Sequence, residues 1–160
     1  MNRTSVVYFG SLAATALALQ LAWGAPPAAK KKAAHAAPAH AAAIVWSKDL
    51  AHAFGVARKA RKPLMIDFYT DWCGYCKLMD RSTYMDSQVE TLARNYVTAK
   101  VNPEKDPAAR KVAIQARINE FPTILFVRPN GDVLFRAVGY RSASRFSAEM
   151  GAVLKRFHKS

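Results

Sequence analysis

The sequence predicts an α/β domain built on a mixed sheet with helices on both faces. Short apolar runs of strand length alternate with segments of helical periodicity from residue 44 to residue 160. That alternation needs at least one parallel strand pair joined by right-handed crossovers. Near the C-terminus two strand-like runs flank Pro129-Asn130-Gly131-Asp132, a turn sequence that closes a hairpin and adds antiparallel strands.

The elements follow in the order α, β, α, α, β, α, β, β, α. Ser47 is placed to cap a first helix with Leu50, Ala53, Phe54 and Ala57 along one face. The cations of residues 58–62 suit its C-terminal end, and Pro63 stops it. Residues 64–69 are nearly all apolar, as in a central strand buried on both faces. A helix starting at the cysteines covers residues 73–81. Ser87-Gln88-Val89-Glu90 reads as a capping box opening a short helix over residues 89–95. Residues 96–101 are a strand, and residues 102–107 a loop with two prolines. Residues 108–117 form a helix with Val112 and Ala113 inward. Strands at 123–127 and 133–138 make the hairpin. Ser142 or Ser144 opens a last helix with Phe146, Met150, Val153, Leu154 and Phe157 facing the core. No internal repeat is visible.

The first residues read as an address and a tether. Arg3 is the single cation before an uncharged run from Val6 to Trp23, and Ala22-Trp23-Gly24 puts small residues where a signal peptidase reads. Residues 1–24 are therefore expected to be a signal peptide cut after Gly24. The alternative is an uncleaved anchor over residues 6–23, at the lower edge of spanning length. Ser11, Thr15, Gln20 and the alanines would make it a weak one. Either way the remainder is expected outside the cytoplasm, in the periplasm. Residues 25–43 are almost all Ala, Pro, Lys and His, too poor in large apolar surface to offset the entropy of ordering. They are expected to be a disordered spacer. His35 and His40 could hold a metal loosely, but such a biased tract reads as linker, and no metal site is expected.

The 160 residues suffice for one domain. The net charge of +13 is strongly basic, and only Arg3, Lys30, Lys31 and Lys32 of it lie in the leader and spacer. No run of cations interleaved with aromatics and no nucleic-acid motif occurs, so solubility and attraction to a membrane surface are the reading. The two cysteines sit in one C-x-x-C. That excludes a disulfide-stapled mini-protein and a self-contained zinc site.

Cys73-Gly74-Tyr75-Cys76 follows a predicted strand and opens a predicted helix. A thiol there meets unpaired backbone N–H groups and the positive end of the helix dipole. Both favour thiolate, the species that attacks a disulfide. Cys73 is expected to be the exposed nucleophile. Cys76, one turn on and beneath it, resolves the mixed disulfide. Gly74 and Tyr75 keep the helix start open and tune the thiols. As a staple, a loop of about four residues is worth only roughly 2 kcal/mol, against about 4.7 for one of ~100 residues. Paired thiolates could also hold copper or share zinc, but no other ligands lie close in sequence.

Residues 67–77, Asp-Phe-Tyr-Thr-Asp-Trp-Cys-Gly-Tyr-Cys-Lys, resemble the thioredoxin active-site segment, and Phe121-Pro122-Thr123 resembles its cis-proline loop. The resemblance covers about residues 44–159 and implies a thioredoxin fold. Continued through Asp80, Thr83, Tyr84, Asp86 and Val89, the run is most similar to the C-terminal periplasmic domain of the membrane thiol:disulfide interchange reductases. The Gly-Tyr dipeptide departs from thioredoxin's Gly-Pro and resembles that of periplasmic disulfide isomerases, whose dimerisation domain has no counterpart here. A monomer is expected.

Several roles come with the resemblance. Asp67 matches the buried acid of thioredoxins, where burial should raise its pKa and let it take the proton from Cys76. The alternative is a partly exposed carboxylate at a strand end. Asp80 matches an acid near the cysteines of the reductase domain, or is an exposed helix-surface acid. Pro122 corresponds to the cis-proline packed on the disulfide. Phe121 before it would leave its backbone free to pair with an extended substrate and would shape which partners fit. Trp72 would lie on Cys73 as an apolar lid, or be an ordinary core tryptophan.

The expected activity is disulfide reduction in exported proteins, with a membrane-bound thiol donor recycling the pair and no cofactor beyond the two sulfurs. A disulfide oxidase or isomerase, and a non-catalytic metal or apocytochrome thiol chaperone, are the alternatives.

Overall fold

Leu64–Phe68 form β1, and all five side chains are buried, including that of Asp67. In the computed structural model, which describes residues 43–159, the other strands are arranged around this one. β2 (Val97–Val101) pairs parallel with β1, in register Leu64↔Val97 to Phe68↔Val101. β3 (Thr123–Val127) pairs antiparallel on the other side, and β4 (Val133–Val138) pairs antiparallel with β3. The sheet order is β2-β1-β3-β4, the mixed sheet that the alternation predicts. β1 and β3 are buried on both faces, whereas β4, at the sheet edge, buries only Leu134 and Ala137, three residues apart across a register shift against β3. Expectations for the leader and spacer, including His35 and His40, lie outside the described residues.

The helices are α1 (Leu50–Ala60), α2 (Gly74–Arg81), α3 (Ser87–Ala93), α4 (Pro107–Gln115) and α5 (Ala143–His158). A 3-10 turn, Thr83–Met85, joins α2 to α3. On one face Leu50, Ala53 and Ala57 of α1 and Ala109 and Ala113 of α4 pack against Leu64, Ile66, Phe68, Leu125 and Val127. On the other, Met79, Val89, Phe146, Met150 and Val153 pack against Met65, Ile124 and Phe126. The period-two sorting of β1 and β3 thus supplies a separate apolar layer to each set of helices. Among the described residues no helix is long and apolar enough to cross a membrane.

Two caps differ from expectation. α1 is capped by Asp49, whose carboxylate accepts the His52 N–H at 3.0 Å. Ser47 is held further back because its backbone bridges the sheet edge at Ala99. α3 begins at Ser87, with Asp86 Oδ1 accepting the Gln88 and Val89 N–H groups, so Ser87 and Glu90 form no capping box and Glu90 is buried instead. Asp106 caps α4 and Pro107 fills its first position. Ala109 and Ala113 of that helix are buried, while Val112 is half-buried. Ser142 rather than Ser144 opens α5. Asp86→Ala should cost about 1–2 kcal/mol in denaturant unfolding, because two N–H groups lose one acceptor.

Candidate active site

β1 ends at Phe68 and the chain reaches α2 through Tyr69-Thr70-Asp71-Trp72, with the Cys73 N–H donating to the Thr70 carbonyl at 3.2 Å. Cys73 has extended backbone and is the N-cap of α2. Its Sγ accepts the Cys76 N–H at 3.1 Å. The cysteines are joined, with an S–S length of 2.11 Å. Both are buried, Cys73 at 4% and Cys76 at 2% exposure, so exposure does not separate nucleophile from resolver as expected. The hydrogen bond does. Of the two sulfurs, that of Cys73 accepts a helix N–H at the start of α2, and that position stabilises a thiolate.

Trp72 is not a core residue. It is 68% exposed, its indole N–H donates to Glu104 Oε1 at 3.0 Å, and its ring stands edge-on to Phe121 at 6.0 Å. Phe121-Pro122 is a cis peptide, as the resemblance implies. The Pro122 carbonyl accepts the Gly139 N–H at 2.7 Å, tying the proline loop to the end of β4. Gly74 and Tyr75 occupy the first turn of α2, and Tyr75 projects into solvent. Asp71 is exposed and paired with Lys105, which holds its carboxyl below the usual range.

Asp67 is fully buried, which excludes the partly exposed strand-end alternative. Its partner is Lys100, directly across the β1–β2 register, with Nζ 3.0 Å from Oδ2. Neither carboxylate oxygen receives a well-directed hydrogen bond, so the tie is an ion pair. Burial raises the Asp67 pKa, and the ammonium opposes that rise without cancelling it. Lys100 also pairs with Asp80, which is half-exposed on α2. The rings of Trp46, Tyr69 and Tyr84 lie within 5.8, 5.2 and 5.2 Å of its Nζ. Burial works to lower the Lys100 pKa, but the two acids outweigh it and hold it above the usual lysine value. The buried Tyr84 hydroxyl is pushed well above its ordinary range by burial and by the Asp67 charge. Asp67 and Asp80 therefore belong to one cluster, with two carboxylates sharing one ammonium.

The roles of three residues here are not legible in the sequence. Lys100 carried a signal, a long cation inside an otherwise buried strand. Tyr84 carried only its place in the run that resembles the reductase domain, with no role attached. Tyr140 follows Gly139 in the loop after β4, is partly exposed, and lies 6.3 Å from the Tyr75 ring. Arg141 Nη1 fixes that loop by donating to the Val138 carbonyl at 2.7 Å, and Arg141 pairs with Glu149.

A family profile described as a thioredoxin-like domain matches residues 50–154. The thiol:disulfide interchange protein DsbD of Salmonella typhimurium is 32% identical over 119 residues, 71% of this chain and 21% of that protein. DsbD of Escherichia coli is 34% identical over 93 residues, 56% of this chain and 16% of that protein. The chain thus spans about a fifth or less of the length of these relatives. Among solved structures, the DsbH oxidoreductase superposes with a TM-score of 0.64 at 21% identity, covering 74% of this chain and 89% of that one. The oxidised C-terminal domain of Neisseria meningitidis DsbD gives 0.59 at 20% identity, covering 68% and 98%. The chain belongs to the thioredoxin-like domain family.

Proposed function

We propose that this chain is an exported reductase of protein disulfides. The observation that carries the reading is the cluster beside α2, in which Asp67 and Asp80 share the single charge of Lys100. With both acids ionised the cluster is net negative, which disfavours an added thiolate and so destabilises the reduced pair relative to the disulfide. A dithiol less stable relative to its disulfide is the stronger reductant. The similarity to the thiol:disulfide interchange protein DsbD supports disulfide exchange as the activity.

In the proposed cycle the Cys73 thiolate attacks one sulfur of a substrate disulfide, and the other sulfur leaves as thiolate. Asp67 then accepts the Cys76 proton. The Cys76 sulfur attacks the Cys73 sulfur, forming the Cys73–Cys76 bond and releasing the substrate with two electrons gained. A membrane-bound thiol donor returns those electrons. The substrate is an extended segment of an exported, disulfide-containing protein. It pairs with the backbone at Phe121 beside Pro122, between the rings of Trp72 and Tyr75. In this reading residues 1–24 direct export to the periplasm, residues 25–43 are a spacer, and residues 44–160 act as a monomer.

A redox titration of the Cys73–Cys76 couple tests the direction. A potential near about −270 mV is expected. A value near about −120 to −180 mV would assign the chain to oxidation or isomerisation instead.

A further inference from the structure

Cations gather at one end of the domain. β1 begins at Leu64, opposite Val97 of β2 and Val127 of β3. Lys62, Arg94 and Arg128 therefore meet at that end of the sheet, and the Lys62 ammonium donates to the Arg94 carbonyl at 2.8 Å. α1 finishes at the same end with Arg58 and Lys59 in its last turn and Arg61 as its cap. Arg128 lies 5.3 Å over the Phe157 ring, which brings the basic C-terminal turn of α5 there as well. Among the described residues, Arg58, Lys59, Arg61 and Arg94 form no ion pair. The acids at this end are Asp132, in the turn before β4, and Glu90, which is buried. Toward the opposite end, with the disulfide, where β1 and β2 finish and β3 begins, the cations Lys77, Lys105 and Arg141 are accompanied by the acids Asp71, Asp80, Glu104 and Glu120.

We propose that the basic end is a membrane-docking face that takes anionic phospholipid headgroups. Exposed cations without partners keep their charge available to a surface of opposite sign. The described chain also enters here. Ala43, Ile44 and Val45 line a groove of about 590 Å³ together with Val56, Lys62 and Arg94. The exposed side chains of Val45 and Val56 add apolar surface of the kind that settles into a headgroup region. The exposed rings that could stack on nucleic-acid bases, Trp72, Tyr75 and Tyr140, stand at the other end. Docked this way, the domain turns Cys73 and its aromatic rim toward the aqueous phase. A membrane-bound donor would have to project beyond the lipid surface to reach it. The inference does not depend on the direction of disulfide exchange.

Co-sedimentation of the full chain with phosphatidylcholine vesicles, with and without about 30% phosphatidylglycerol, tests this, at low salt and at about 0.5 M salt, where screening is short-ranged. Binding should require the anionic lipid and fall with salt. Replacing Arg58, Lys59 and Arg61 together by Ser should weaken it more than tenfold, since each basic residue near such a surface is worth on the order of fivefold. Replacing the exposed Lys48, Lys77 and Lys111 removes the same charge elsewhere and should weaken it less than threefold, with circular dichroism confirming that both variants fold. Equal losses from the two triples, or equal binding to neutral and anionic vesicles, would overturn the proposal. So would displacement of the bound chain by an acidic peptide or a DNA oligomer in preference to lipid, which would assign this face to an acidic macromolecule.

Discussion

Cys76→Ser is expected to turn the exchange cycle into a trap. Cys73 keeps its place at the start of α2, so its attack on a substrate disulfide survives. The acceptor bond on its sulfur comes from the backbone N–H of residue 76, which serine retains. Release, however, depends on the second sulfur being one turn away in the same helix. An intramolecular thiol acts at an effective concentration orders of magnitude above that of free thiol in solution, so turnover should fall by at least about a thousandfold. Mixed disulfides should accumulate, and non-reducing electrophoresis with mass spectrometry would identify both the attached proteins and the cysteine that holds them. Cys73→Ser should trap nothing, because the Cys76 sulfur is not the one that accepts a helix N–H. Adducts through Cys76 in that variant would reverse the assignment of nucleophile and resolver.

The parts of this domain that could be read beforehand depend on periodicity or on chemistry confined to a few neighbouring residues. Leu64–Phe68 is apolar except for one acid, so its place at the centre of the sheet follows from composition alone. The cysteine pair, the strand before it and the helix after it are contiguous, and so is the Phe121-Pro122 loop. The caps were misplaced for a local reason. Ser47 and Asp49, like Ser87 and Asp86, are equally able to accept an N–H bond, and only the course of the backbone decides which one precedes the first turn. Lys100 was missed for a non-local reason. Its meeting with Asp67 is created by the β1–β2 register, and its meeting with Asp80 by the way α2 lies over that strand pair. Tyr140 belongs to a loop whose shape depends on Arg141 and Gly139, so no repeating pattern announces it.

Lys100 also supplies the sharpest test of the acid–base half of the mechanism. The ammonium is the main influence opposing the rise that burial imposes on the Asp67 pKa, and the nearby Asp80 charge adds to that rise. Lys100→Met should therefore push the Asp67 pKa higher still. The carboxylate form that can take the Cys76 proton then appears only at higher pH, and the acid limb of the resolution rate moves upward. Asp80→Asn removes a neighbouring negative charge and leaves Lys100 to Asp67 alone, so the same limb should move downward. Stability follows with a definite sign. A carboxyl whose pKa is raised on folding binds its proton more tightly in the folded state, so its contribution is most favourable below the unfolded value of 3.8 and is lost as pH rises through the folded pKa. Without Lys100 the buried charge has no counter-ion, and unfolding of the oxidised protein should show a loss of about 3 kcal/mol near pH 8 that shrinks to under about 1 near pH 4. Stopped-flow resolution rates across pH, paired with denaturant titrations at those two values, would read both effects. Displacement of the acid limb in the same direction by both substitutions would remove Asp67 from the proton path, because a group elsewhere would then be titrating.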